Sequence, residues 1–226
     1  MNTSSAQFRK GFSMVELLAV VAIALILMGL LFPTLARSRA QARIVSDLAR
    51  CRQAANAVHA YASRSSEIFP VAEQNAYKAA LHWYRAVIAD GGFETASTID
   101  PEGVRESGEV SFVQSMAMAY AAEAMRVGQT VPIELAFSKA VRVSEVTWPS
   151  RKGLLVQMNL FHEGQVNRWC CVTTQRSIGA VAWADASGSS VCWQDLVADP
   201  TRVPYRENVI GIPVFSTWDG ANGYDR

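Results

Sequence analysis

Lys10-Gly11-Phe12-Ser13-Met14-Val15-Glu16-Leu17-Leu18 opens a long apolar segment. Arg9 and Lys10 stand just before the glycine, Glu16 follows it by five residues, and Leu17 to Phe32 carries no charged residue. From Phe12 to Leu35 an α-helix would rise about 36 Å at about 1.5 Å per residue. That exceeds the roughly 30 Å hydrocarbon core of a bilayer, so the segment is long enough to span one. A carboxylate at the centre of such a helix costs about 2.5–3.5 kcal/mol on the insertion scale. Something must compensate Glu16, which makes it the first place to look for function.

An ordinary secretory signal would need a small-residue cleavage site after the apolar run. Ala36-Arg37-Ser38 is the one candidate, and it leaves Glu16 unexplained. The opening run instead resembles the cleavage and methylation signature of type IV prepilins and type II secretion pseudopilins. The resemblance covers Arg9 to Ala36, and the glycine, the aromatic after it, the glutamate and the apolar run all fall at the family's spacing.

The resemblance carries several implications. Prepilin peptidase would cut between Gly11 and Phe12, leaving Phe12 as an N-methylated first residue and Glu16 as the fifth. Pro33 matches the family's helix-kinking proline. Glu16 would pair with the free amine of Phe12 on a neighbouring subunit, since buried opposite charges relieve each other's desolvation only when paired. The implied partners are the peptidase, other pilin or pseudopilin subunits and an inner-membrane assembly platform. Arg9 and Lys10 precede the segment while Arg37, Arg39 and Arg43 follow it, so charge alone leaves the orientation open. The resemblance implies a leader in the cytoplasm and a single-pass anchor in the bacterial inner membrane. The head would lie outside, in a filament in the periplasm or at the cell surface.

The 226 residues allow an anchor plus one domain or two small ones. A formal charge of +1 excludes a strong global field toward nucleic acid, and no basic-aromatic stripe adds one. Cys51, Cys170, Cys171 and Cys192 lack the paired spacing of a zinc site. In an oxidising compartment Cys192 is expected to pair with Cys170 or Cys171, with Cys171 as the choice; buried reduced thiols are the alternative.

Past Pro33, residues 36–65 contain no proline or glycine. Ile44, Leu48, Cys51, Ala55, Val58 and Ala62 recur at alternating steps of four and three, a single helical stripe. One helix is therefore expected from about Ser13 to about Arg64, half anchor and half scaffold. Ser66 to Pro70 would end it. A second helix is expected over Ala72–Ala89, with Tyr77, Ala80, Leu81, Tyr84 and Ile88 on one face and Asp90-Gly91-Gly92 as its stop. Residues 94–109 read as loop and the Ala- and Met-rich residues 112–127 as helix. Residues 131–143 read as a short helix and then an edge strand at Val141-Arg142-Val143.

From Lys152 the period changes to two. Residues 154–161 and 166–173 read as a hairpin about Glu163-Gly164. Residues 179–184 and 190–193 follow as strands about the turn at Asp185 to Gly188, and 200–226 read as irregular. The expected class is α+β and pilin-like: a long N-terminal transmembrane helix packed on a small antiparallel sheet, with an added helical segment. The expected divisions are a leader at 1–11, the helix at 12–65 and a head at 66–226, helical over 70–150 and β-rich over 151–226.

No catalytic constellation emerges, and the reading is of a protein that is not an enzyme. His59, His82 and His162 share no ligand spacing and read as structural or surface residues. A Gly-x-Ser-x-Gly elbow and a phosphate loop are both absent from the sequence. Asp219, Asn222 and Asp225 surround glycines in the tail, which looks faintly similar to the calcium loop of major pseudopilins, although bare turns account for it too. No other cofactor is indicated. Trp148, Trp169, Trp183, Trp193 and Trp218 read as fillers of the sheet core. The alternative to a filament subunit is a minor pilin-like protein whose head recognises a secreted substrate or a surface.

Overall fold

The computed structural model describes residues 13–72, 76–99, 112–119, 141–157, 159–162, 165–168, 178–192, 195–196 and 220–225. The chain divides into two compact units, Met1–Ala42 and Arg43–Arg226. Helix α1 runs unbroken from Met14 to Arg64 and passes through Pro33. Proline has no N–H to offer the carbonyl four residues back, which here belongs to Gly29. The adjacent Thr34 turns its hydroxyl inward and donates to the carbonyl of Leu31 at 2.7 Å. In an apolar medium, such bonds are how a helix keeps its polar groups satisfied around a proline.

In the larger unit the expected stripe is the buried one. Cys51, Ala55, Val58 and Ala62 are buried, and Leu48 packs at the margin of the core. Small side chains along this line let the helix backbone lie close to the sheet. The stripe also carries a residue the periodicity passed over, the buried Asp47. Its carboxylate accepts a bond from Gln157 Nε2 at 2.6 Å, and the Gln157 Oε1 accepts from the Ala180 N–H at 3.1 Å. Arg50 lies 3.6 Å away on the next turn of the helix. One carboxylate thus ties α1 to two neighbouring strands.

Those strands are β1 (Phe112–Gln114), β2 (Gly153–Gln157), β3 (Asn159–His162), β4 (Gln165–Arg168), β5 (Ile178–Trp183) and β6 (Gly188–Cys192). They form one antiparallel sheet in the order β1-β2-β5-β3-β4, with β6 also paired to β5. His162 stands opposite Gln165 at the end of the expected hairpin, where β3 pairs with β4. The expected strand over 154–161 is described as β2 and β3, which both pair with β5 on either side of residue 158; residue 158 lies outside the described residues. Its first part, β2, is buried along its whole length rather than alternating, because it is a central strand between β1 and β5.

Strand β1 overturns the helix expected at residues 112–127. Phe112, Val113 and Gln114 pair with Gln157, Val156 and Leu155, and a 3-10 turn at Met116–Met118 follows. Alanine and methionine favour helix locally, and burial against a strand edge overrides that preference. Residues 120–127 lie outside the described residues. The edge strand expected at 141–143 is reduced to a single bridge between Ile68 and Arg142, followed by a 3-10 turn at Val143–Glu145. The loop expected at 94–109 contains a short helix α3, Ala96–Ile99.

Helix α2, Ala76–Ala89, is interrupted at His82, whose backbone is non-helical. Its stop matches the sequence. The Gly91 N–H donates to the Ile88 carbonyl at 2.9 Å and the Gly92 N–H to the Val87 carbonyl at 2.8 Å, with Gly91 left-handed at φ 78°. This is the paired bonding of a Schellman cap, which needs a residue free of left-handed strain. Of the expected face, Tyr84 is buried and Ile88 packs at the margin of the core, and Ala79, Trp83 and Val87 are buried beside them. The side chains of Tyr77, Ala80 and Leu81 lie outside the described residues.

Candidate functional site

Residues 1–12, and with them Gly11 and Phe12, lie outside the described residues; description of the candidate site begins at Ser13. The Ser13 carbonyl accepts the first helical bond, from the Leu17 N–H at 3.1 Å. Its hydroxyl accepts from the Val15 N–H at 3.2 Å. Glu16 reaches back, and its Oε2 accepts from the Ser13 N–H at 2.8 Å. Serine at the cap with glutamate three residues on is a reciprocal capping box. The signal for it, Ser13-Met14-Val15-Glu16, is local in the sequence and gives the carboxylate a partner within its own chain.

The box changes the electrostatics of the site. The carboxylate lies at the positive end of the helix dipole and accepts a backbone hydrogen bond, so part of its desolvation cost is met within its own chain. From Met14 to Phe32 the apolar side chains stay exposed, Leu17, Leu25, Ile26, Leu30 and Leu31 among them. Among the described residues, α1 is the one helix long and apolar enough to cross a membrane.

The other candidate residues are dispersed. Asp225 is buried, with its Oδ2 3.2 Å from Lys152 Nζ and accepting from the Gly153 N–H at 2.8 Å. Asn222 Oδ1 lies 3.3 Å from the Thr147 hydroxyl, and Asp219 lies outside the described residues. Cys170 and Cys171 also lie outside them, so the expected pairing with Cys192 is not described. Cys51 is a free buried thiol whose Sγ lies 3.9 Å from the Leu155 carbonyl. Burial pushes it up to about 12, so it stays protonated and is a poor nucleophile. Trp183 is buried as expected, but Trp148 is 47% exposed on a turn. Trp169, Trp193 and Trp218 lie outside the described residues.

His59 packs edge-on against Phe69, with its Nε2 buried and unbonded. Burial holds it below the ordinary 6.5 of imidazole, against smaller opposing effects from the Ala184 backbone and Asp185. The unfolded chain therefore binds this proton more readily than the folded one. Stability is expected to be intact above about pH 6.5 and to fall as the medium is acidified through it. Denaturation midpoints at pH 7 and at about 5.5 check this, and His59→Gln is expected to flatten the difference.

Residues 7–32 match the family model described as the prokaryotic N-terminal methylation motif, which is the prepilin-type signature. No curated protein and no solved structure matches the chain. The motif and the apolar helix together fit a pilin-like protein with a single-pass inner-membrane anchor.

Proposed function

We propose that this chain is a structural subunit of a type IV pilus-like or type II secretion pseudopilus filament. In this reading prepilin peptidase cuts between Gly11 and Phe12, and the subunit joins the filament through α1. The supporting observation is the methylation motif with Glu16 at the start of a membrane-length helix. In the isolated chain Glu16 is held by the Ser13 N–H. Docking then exchanges that neutral partner for the charged amine of a neighbour, which is the stronger bond in a low-dielectric setting.

The experiment has two arms. Gly11→Val adds a branched side chain beside the scissile bond and is expected to leave the leader attached, seen as an unprocessed mass. Glu16→Ala is expected to yield a processed, membrane-bound subunit that fails to assemble. Losing one member of a buried pair costs about 3–5 kcal/mol, a docking defect of more than about a hundredfold. Normal filament yield from Glu16→Ala would overturn the assembly role.

A second reading, a sparse subunit that binds a secreted substrate or a surface, has one observation in its favour. Trp148 and Tyr224 are 47% and 45% exposed, and the Arg151 guanidinium lies 4.3 Å from the centre of the Tyr224 ring. Tryptophan, tyrosine and arginine are the residues that most often anchor interfaces. The share of the chain in purified filaments separates the two readings.

A further inference from the structure

The charge-free part of α1 runs from Leu17 to Ala36. At about 1.5 Å per residue it rises about 30 Å, which is the thickness of a hydrocarbon core. Glu16 and Arg37 therefore bracket the bilayer, one at each boundary. Arg37 and Arg39 follow that end directly, and both are exposed. Among the described residues neither takes part in an ion pair.

Three features of this pair of cations point one way. Side chains on a helix lean toward its N-terminus, so both guanidinium groups lean back toward the apolar segment rather than away from it. At about 100° per residue the two stand about 200° apart around the helix, so one faces lipid whichever way α1 is turned. Both are arginine, whose planar fork binds phosphate in a bidentate manner where lysine offers a point charge. Cations on this side also run against the usual placement of positive charge in the cytoplasm, so they need a partner once across.

We propose that Arg37 and Arg39 form a clamp for the phosphates of anionic phospholipid headgroups in the leaflet opposite Glu16. The clamp fixes the depth of α1 and must be released when a subunit leaves the membrane. The proposal rests on the membrane-spanning part of the functional reading and not on processing or assembly.

The test uses the full chain in lipid nanodiscs of equal phosphatidylglycerol and phosphatidylcholine, with retained lipids weighed by native mass spectrometry. The wild-type chain is expected to retain phosphatidylglycerol preferentially. Each arginine near a charged surface is worth about fivefold, so Arg37→Gln/Arg39→Gln is expected to lower that preference by ten- to thirtyfold. Arg64→Gln/Arg85→Gln removes the same charge elsewhere and is expected to leave the preference in place. An unchanged preference in the first variant, or an equal fall in the second, overturns the clamp. Release of the wild-type chain from vesicles by alkaline carbonate would instead overturn the spanning reading itself, whatever the outcome for Gly11→Val and Glu16→Ala.

Discussion

Lys152→Met is expected to lower the stability of the larger unit by about 3–5 kcal/mol, a large part of the margin of an ordinary domain. Lys152 is fully buried, and so is its partner Asp225, one residue from the end of the chain. The carboxylate also accepts the Gly153 N–H, the Asp225 N–H donates to the Arg151 carbonyl at 2.9 Å, and the Thr147 N–H donates to Ala221. The tail at 220–225 is thereby fastened to the start of β2. Removing the lysine takes the ammonium away from a buried carboxylate, which costs more than the intact pair contributed. The double variant Lys152→Met/Asp225→Leu removes both charges and is expected to recover much of the loss, less about 1–3 kcal/mol for the stranded Gly153 N–H. Denaturant unfolding of the full chain in detergent, followed by near-ultraviolet circular dichroism, checks the order. A Lys152→Met variant as stable as the wild type would show that the tail is held by its backbone bonds alone.

Trp83→Ala is expected to cost about 3–5 kcal/mol for the cavity it leaves in the core. Trp83 has no exposed surface, and its indole N–H donates to the Phe112 carbonyl at 3.0 Å. It stands edge-on to Tyr84, their ring centres 6.3 Å apart. The indole packs between α2 and β1 and holds β1 through the Phe112 carbonyl. Trp83→Phe keeps most of the volume and loses the bond, so it isolates that bond at about 0.5–1.5 kcal/mol, more if the carbonyl stays dry. The same unfolding curves measure both variants, and equal losses for alanine and phenylalanine would show that the bond, not the volume, matters.

These two sites show where sequence reading stops. The long helix was legible because its apolar stripe repeats over many turns, and the β3–β4 hairpin and the β5–β6 pair because period two and turn residues coincide. Strand β1 was not legible: three residues at the head of an Ala- and Met-rich run carry no period of their own, and only pairing with β2 makes them a strand. Trp83 lies one position off the apolar face expected for α2, and a helix interrupted at His82 does not keep a strict 3.6 repeat. Asp47 and Lys152 are charged residues buried in a core, which composition argues against. Arg50 is a local partner of Asp47, but nothing local marks the distant ones, Gln157 for Asp47 and Asp225 for Lys152.

What the sequence determined by itself was the first turn and the span of α1. Ser13, Glu16 and the charge-free stretch act through nearest neighbours at and along one helix, and their spacing already contains their geometry. It carried the methylation motif at residues 7–32, with Glu16 at the start of the apolar helix. Tertiary structure alone decided the strand pairing at Phe112 and the burial of Lys152 against Asp225. Each joins residues distant in the chain, and the energy that selects it comes from surfaces and charges that meet only once the chain has folded.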